Sequence, residues 1–109
     1  MHDTSELTAA VERFADRLRA APQSRLRQAA AAEGLALARE LAVRAQRAED
    51  PDREPRIMPD AGLFTVGDQL AVAGNDLAEV LRTAPAGSHE KELDEAVRLV
   101  REAAERAGL

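Results

Sequence analysis

At 109 residues the chain has the size of one domain, and it lacks cysteine, which excludes disulfides, zinc ribbons and thiol catalysis. Its formal net charge of −5 produces an overall field that repels polyanions, so nucleic acid is not an expected partner. The N-terminus carries acids without a signal-like apolar run, and no stretch approaches transmembrane length; a cytoplasmic protein with no membrane partner is expected.

Any core must come from small aliphatics, with 24 alanines, 13 leucines and 7 valines set against two phenylalanines and no Trp or Tyr. That balance leans helical. Residues 1–50 hold eight basic and eight acidic side chains, whereas 51–109 hold seven and twelve, so the second half supplies the negative charge.

Helix one is predicted over 4–21. Asp3-x-x-Glu6 reads as a capping box, and Leu7, Val11, Phe14 and Leu18 recur at helical spacing. Pro22 stops it, and "AAPQS" reads as a tight connection folding helix two back on helix one. A single kinked rod over 4–49 satisfies the same periodicity.

Helix two, 23–49, is the longest, on the order of 40 Å. Leu26, Ala30, Gly34, Leu37, Leu41, Ala45 and Ala48 form one row, and Ala31, Leu35, Ala38 and Ala42 a second beside it. The resulting arc is wider than the ~100° stripe of a simple surface helix. It needs two neighbours, or one neighbour and another chain.

Three prolines forbid regular structure in "DPDREPRIMPDAG", and the irregular loop is placed at 50–64. Ile57, Met58, Leu63 and Phe64 put four bulky apolar residues in or beside it. The run "TVGDQLAVAGNDL" then admits two readings. One is a hairpin turning at Gly67-Asp68; the other is a helix over 65–84. The helix sorts Val66, Leu70, Ala73, Leu77, Val80, Leu81 and Ala84 onto one face. Gly67, Ala71, Gly74 and Ala78 fall in a small-residue strip beside them, and Val72 alone is misplaced. The hairpin gives no reason for this sorting, so the helix is preferred. Each interior glycine costs about 1 kcal/mol relative to alanine. Close approach of a partner backbone explains that cost, and Ala30, Gly34 and Ala38 make helix two the expected partner. A break at Gly74-Asn75-Asp76 is the competing reading.

Helix four is predicted over 88–107, from an N-cap at Ser88 to a C′ residue at Gly108. Leu93, Ala96, Val97, Val100, Ala104 and Ala107 form its buried face. Asp94 with Arg98, and Glu102 with Arg106, are suitably spaced for i,i+4 pairs. The whole is an all-α four-helix bundle with a long central second helix and a Pro-rich loop between helices two and three.

Motifs for chemistry are sparse. His2 and His89 lack the spacing of a zinc helix or a di-iron bundle, and "HEKE" departs from the His-x-x-Lys-Gly pattern of phosphotransfer domains. Glu33 and Glu40 flank the apolar arc with nothing to push their pKa values apart. No phosphate loop or nucleophile elbow occurs. No enzyme activity, metal or cofactor is therefore expected. Arg13, Arg17, Arg19, Arg25 and Arg27 cluster around the helix one–two turn, the one patch suited to an anionic partner.

"PDAGLFTVGDQLAVAGNDLAEVL", residues 59–81, resembles the central segment of short, uncharacterised helical proteins of high-GC actinobacteria. The resemblance covers about a fifth of the chain and carries no catalytic motif, so it implies a source and no activity. The expected function is a small non-enzymatic interaction or regulatory module. It is expected to self-associate as a homodimer along helix two and the loop. A nucleic-acid-associated regulator using the arginine turn is the alternative.

Overall fold

The computed structural model describes residues 3–85 and 89–109. The fold is an all-α four-helix bundle without strands among the described residues. Helix one is Ser5–Ala20. Helix two is a rod built from Gln23–Arg25, a π-helical turn Leu26–Ala30 and Ala31–Glu49. Helix three is Val66–Arg82, led in by a 3₁₀ turn, Leu63–Thr65, and helix four is Glu90–Ala107.

The boundaries follow from local chemistry, with corrections. Ala21 and Pro22 are extended, at ψ 140° and 156°, so helices one and two are separate and the kinked rod is excluded. The capping box at Asp3 and Glu6 does not form. Asp3 instead accepts from the Ser5 amide at 2.9 Å and from the Ser5 hydroxyl, while Glu6 reaches Arg101 on helix four. Gly67 and Asp68 lie inside helix three, which excludes the hairpin, and Gly74 does not interrupt it. The N-cap role assigned to Ser88 and the ligand reading of His2 lie outside the described residues. His89 precedes Glu90 in a left-handed conformation, φ 63°, and Gly108 closes the helix at φ 69°.

Helix one packs on helices three and four, and so does helix two. The sequence-adjacent pairs, one with two and three with four, are therefore diagonals of the bundle. This corrects the expectation that the short turn folds helix two back along helix one. The extended Ala21-Pro22 link instead carries the chain across the end of the bundle. There Leu26 is buried and Arg25 reaches the Gly108 carbonyl at 2.5 Å. The π turn, in which the Ala31 amide donates to the Leu26 carbonyl, absorbs one extra residue per turn and keeps both Leu26 and Ala30 inward.

The core is a continuous aliphatic cluster around one aromatic ring. Leu7, Val11, Phe14 and Leu18 meet Leu37, Leu41, Leu70, Leu77, Leu81 and Val100, all buried. Fully burying such a side chain contributes about 1.5–3 kcal/mol. The glycines show where backbones approach. A Cβ on Gly74 would stand 2.5 Å from Val11 Cγ1, and one on Gly67 would stand 3.0 Å from the Ala15 carbonyl oxygen. The expected close packing of helices two and three does form, with Gly34 of helix two against Val66 of helix three, but Gly67 and Gly74 of the small strip receive helix one. Gly34 is the meeting point of three helices, with Val66 Cγ1 and Leu18 Cδ1 at 2.7 and 2.9 Å from its Cβ position.

Candidate functional site: surfaces and an arginine-lined cleft

Most of the small residues singled out for an interface serve the bundle's interior. Ala30, Gly34, Ala38, Gly67, Gly74 and Ala78 are buried, and Leu35, Ala42 and Ala71 are half-buried against the core. The second row of helix two does not present a free face. Part of its cover is the Pro-rich loop. The Met58 carbonyl accepts from Arg39 Nε at 2.8 Å, and the Pro59 carbonyl accepts from Gln69 Nε2 at 2.9 Å. Gln46 grips the Arg56 backbone twice, donating to its carbonyl at 2.9 Å and accepting from its amide at 2.8 Å. The loop is thus tied to both helix two and helix three.

The loop's apolar residues divide. Met58 and Leu63 turn inward and are half-buried, whereas Ile57 is 64% exposed and Phe64 71%. Val72, the misfit of the helical wheel, is 58% exposed. Gln69 holds the Pro59 backbone one helical turn before Val72, so the loop returns alongside the first half of helix three.

The arginine turn is rearranged. Arg19 bonds Asp16 at 3.1 Å and Asp68 of helix three at 2.8 Å, and these partners hold its guanidinium firmly protonated. Arg25 is engaged with Gly108, and Arg27 stands exposed on the π turn. Arg13 and Arg17 instead line a cleft of about 410 Å³ between helices one and four, which Arg101 faces from the other wall. Neither Arg13 nor Arg17 makes a hydrogen bond or ion pair among the described residues. Arg101 binds Glu6 through Nη2, and Glu105 is the one carboxylate side chain lining the cleft. Sequence reading missed Arg101 because the partner wall lies more than eighty residues away. Its only local signal was a wheel position bordering Val97 and Val100.

Several other ionic groups pair within or between helices. Glu33 accepts from Arg106 at 2.9 Å, and Glu40 from Arg44, whose other arm reaches Glu95 at 2.9 Å. Burial works against the Arg44 charge, but the hydrogen bonds to Glu95 and Glu40 outweigh it and raise its pKa. The Arg44 hydrogen bond in turn lowers the pKa of Glu95. Of the two i,i+4 pairs expected on helix four, neither forms: Arg98 turns to Glu102 and Arg106 crosses to helix two. His89 Nδ1 lies 3.7 Å from Glu92. Among the described residues no three metal-ligating side chains gather, and no helix is long and apolar enough to cross a membrane. In comparisons with known proteins, no family model, curated protein or solved structure matches this chain.

Proposed function

We propose that this protein is a small non-enzymatic helical interaction or regulatory module of the cytoplasm that works as a homodimer. The observation that carries the reading is that Ile57 of the loop, Phe64 of the 3₁₀ turn and Val72 of helix three are large apolar side chains left in solvent. Association with a second chain would cover such side chains, and contiguous apolar surface marks association sites. Two-fold pairing is the commonest way to close it. The seam moves accordingly, from the second row of helix two to the loop and the start of helix three. A non-enzymatic role is supported by Glu33, Glu40 and Glu102, whose carboxylates are engaged by arginines along or between the helices.

The test is sedimentation equilibrium across micromolar to millimolar protein. The natural chain should show a concentration-dependent dimer mass, and Phe64→Glu should remain a folded monomer over the same range. A natural chain that stays monomeric at the top of the range would sink the reading. The alternative, a nucleic-acid-associated regulator using the arginine turn, has weaker support. Arg19 is held by two aspartates, and the whole molecule carries net negative charge.

A further inference from the structure

The cleft between helices one and four has a polarity opposite to that of the molecule around it. Arg13 and Arg17 stand one turn apart on helix one and Arg101 faces them, with Glu105 the one acidic side chain in the lining. Arg13 and Arg17 have no partner among the described residues, and Arg101 binds Glu6 through one terminal nitrogen of a guanidinium with five donors. Three cations therefore border one groove on a chain of net charge −5.

The floor decides what kind of anion fits. Ala10, Phe14 and Val100 line the cleft but are only 4%, 2% and 1% exposed, because their own neighbours already cover them. A small organic anion would find little apolar area to bury. Nucleic acid would find no exposed aromatic face for a base to stack on, since Phe14 is buried. It would also meet the repulsive field of the whole molecule along its length. A short acidic segment avoids both penalties: it interacts locally, within a Debye length of about 8 Å, with Arg13 and Arg17 first and with Arg101, which also borders Glu6, Asp94, Glu102 and Glu105 on its far side. The spacing is also suitable. Side chains one turn apart on a helix have Cβ atoms about 5–6 Å apart, and two carboxylates at i and i+4 of a partner helix share that spacing. Arginine forks then bind each carboxylate bidentately. The groove continues toward Pro22, where Arg17, Arg25 and Leu109 line its extension, so an elongated occupant has room beyond the central pair.

We propose that this cleft docks an acidic helical segment of a partner protein, with carboxylates one turn apart on Arg13 and Arg17 and a third contact to Arg101. The proposal uses no residue of the loop or of helix three, so it stands or falls separately from self-association.

The probe is a fluorescently labelled helical peptide of Ala and Leu with Glu at successive i,i+4 positions, and its Glu→Gln counterpart, read by anisotropy at low salt. The Glu peptide should bind saturably, and the Gln peptide at least about tenfold more weakly. Arg13→Gln/Arg17→Gln should weaken the Glu peptide by about tenfold or more, whereas Arg27→Gln should leave it within about twofold. All these side chains are exposed, and circular dichroism checks that each variant keeps its helix content. Phe64→Glu should bind the peptide like the natural chain even where it abolishes dimerisation. Three outcomes overturn the proposal. The first is absence of saturable Glu-peptide binding, and the second is equal binding by the double variant. The third is a duplex of roughly 20 base pairs that binds more tightly than the peptide and weakens with the same double substitution.

Discussion

At Gly74 a single hydrogen stands where any other residue would bring a methyl group into Val11. The Cβ position lies 2.5, 2.8 and 3.1 Å from Val11 Cγ1, Cγ2 and Cβ, so two methyls and the branch point are all in the way. Valine is stiff at χ1 and cannot swing aside cheaply within a helix. Two effects then oppose each other in Gly74→Ala. Helix propensity favours alanine by about 1 kcal/mol, while overpacking a close contact costs about 1–3 kcal/mol. The clash should win, giving a net loss of up to about 2 kcal/mol and a lower urea midpoint. Val11→Ala alone leaves a void and also destabilises. Combined, the alanine at 74 fills the space vacated at 11, so the double variant should be more stable than the sum of the single losses by about 1 kcal/mol or more. Additive losses, or a raised midpoint for Gly74→Ala alone, would show that helix one does not rest on this glycine. Gly34 obeys the same reasoning, facing an equally stiff Val66 and a more flexible Leu18.

Among the elements, helix three was legible because two independent patterns agreed. The large apolar residues from Val66 to Leu81 and the small strip from Gly67 to Ala78 sort at one period, and no hairpin produces that sorting. Its packing was half legible: helix two packs on it as expected, but its two glycines receive helix one. Small residues say that something approaches, and both helix one and helix two offer candidates. The diagonal arrangement was hidden for a related reason: a short link fixes where the next helix begins, not which side of the bundle it follows. The π turn at Leu26–Ala30 left no mark, because its residues are ordinary helix formers. The arginine cleft was half visible, through the i,i+4 pair Arg13 and Arg17, with its second wall supplied by the tertiary fold. The loop's anchoring was the least visible, since Arg56, Met58 and Pro59 offer backbone carbonyls, which every residue type has. That anchoring makes a prediction. Gln46→Ala removes both bonds to the Arg56 backbone, each contributing about 0.5–1.5 kcal/mol. The loop should open locally while the core stays folded. Trypsin cleavage after Arg53 and Arg56 should accelerate on the order of tenfold, with little change in the urea midpoint. Unchanged cleavage would mean that Arg39 and Gln69 hold the loop unaided.

The whole molecule is thin, with principal extents of 43 × 27 × 17 Å, and its radius of gyration of 13.5 Å matches the ~13 Å usual for a folded chain of about 100 residues. In so thin a body every helix keeps a solvent face. The ion pairs that join helices, Arg19 with Asp68, Arg44 with Glu95, Arg101 with Glu6 and Arg106 with Glu33, run around its rim. Exposed pairs contribute little singly, at about 0–1 kcal/mol. Their influence therefore shows best as a pH dependence. Two exposed carboxyls have folded-state pKa values held below their usual range. The Arg44 hydrogen bond lowers Glu95, and the Ser5 side-chain and backbone hydrogen bonds lower Asp3. A group with a depressed folded pKa binds its proton more readily when unfolded. Its stabilisation is complete above the unfolded values near 4.5 for Glu and 3.8 for Asp, and it fades as pH falls through the lower folded values. Stability should accordingly be flat from neutrality to about pH 5 and decline toward pH 3, with the urea midpoint as the readout. Glu95→Gln/Asp3→Asn should start with a slightly lower midpoint at neutral pH and decline less steeply on acidification, so that the two curves converge at low pH. Parallel curves across the whole range would show that neither carboxyl gains anything from its partner in the fold.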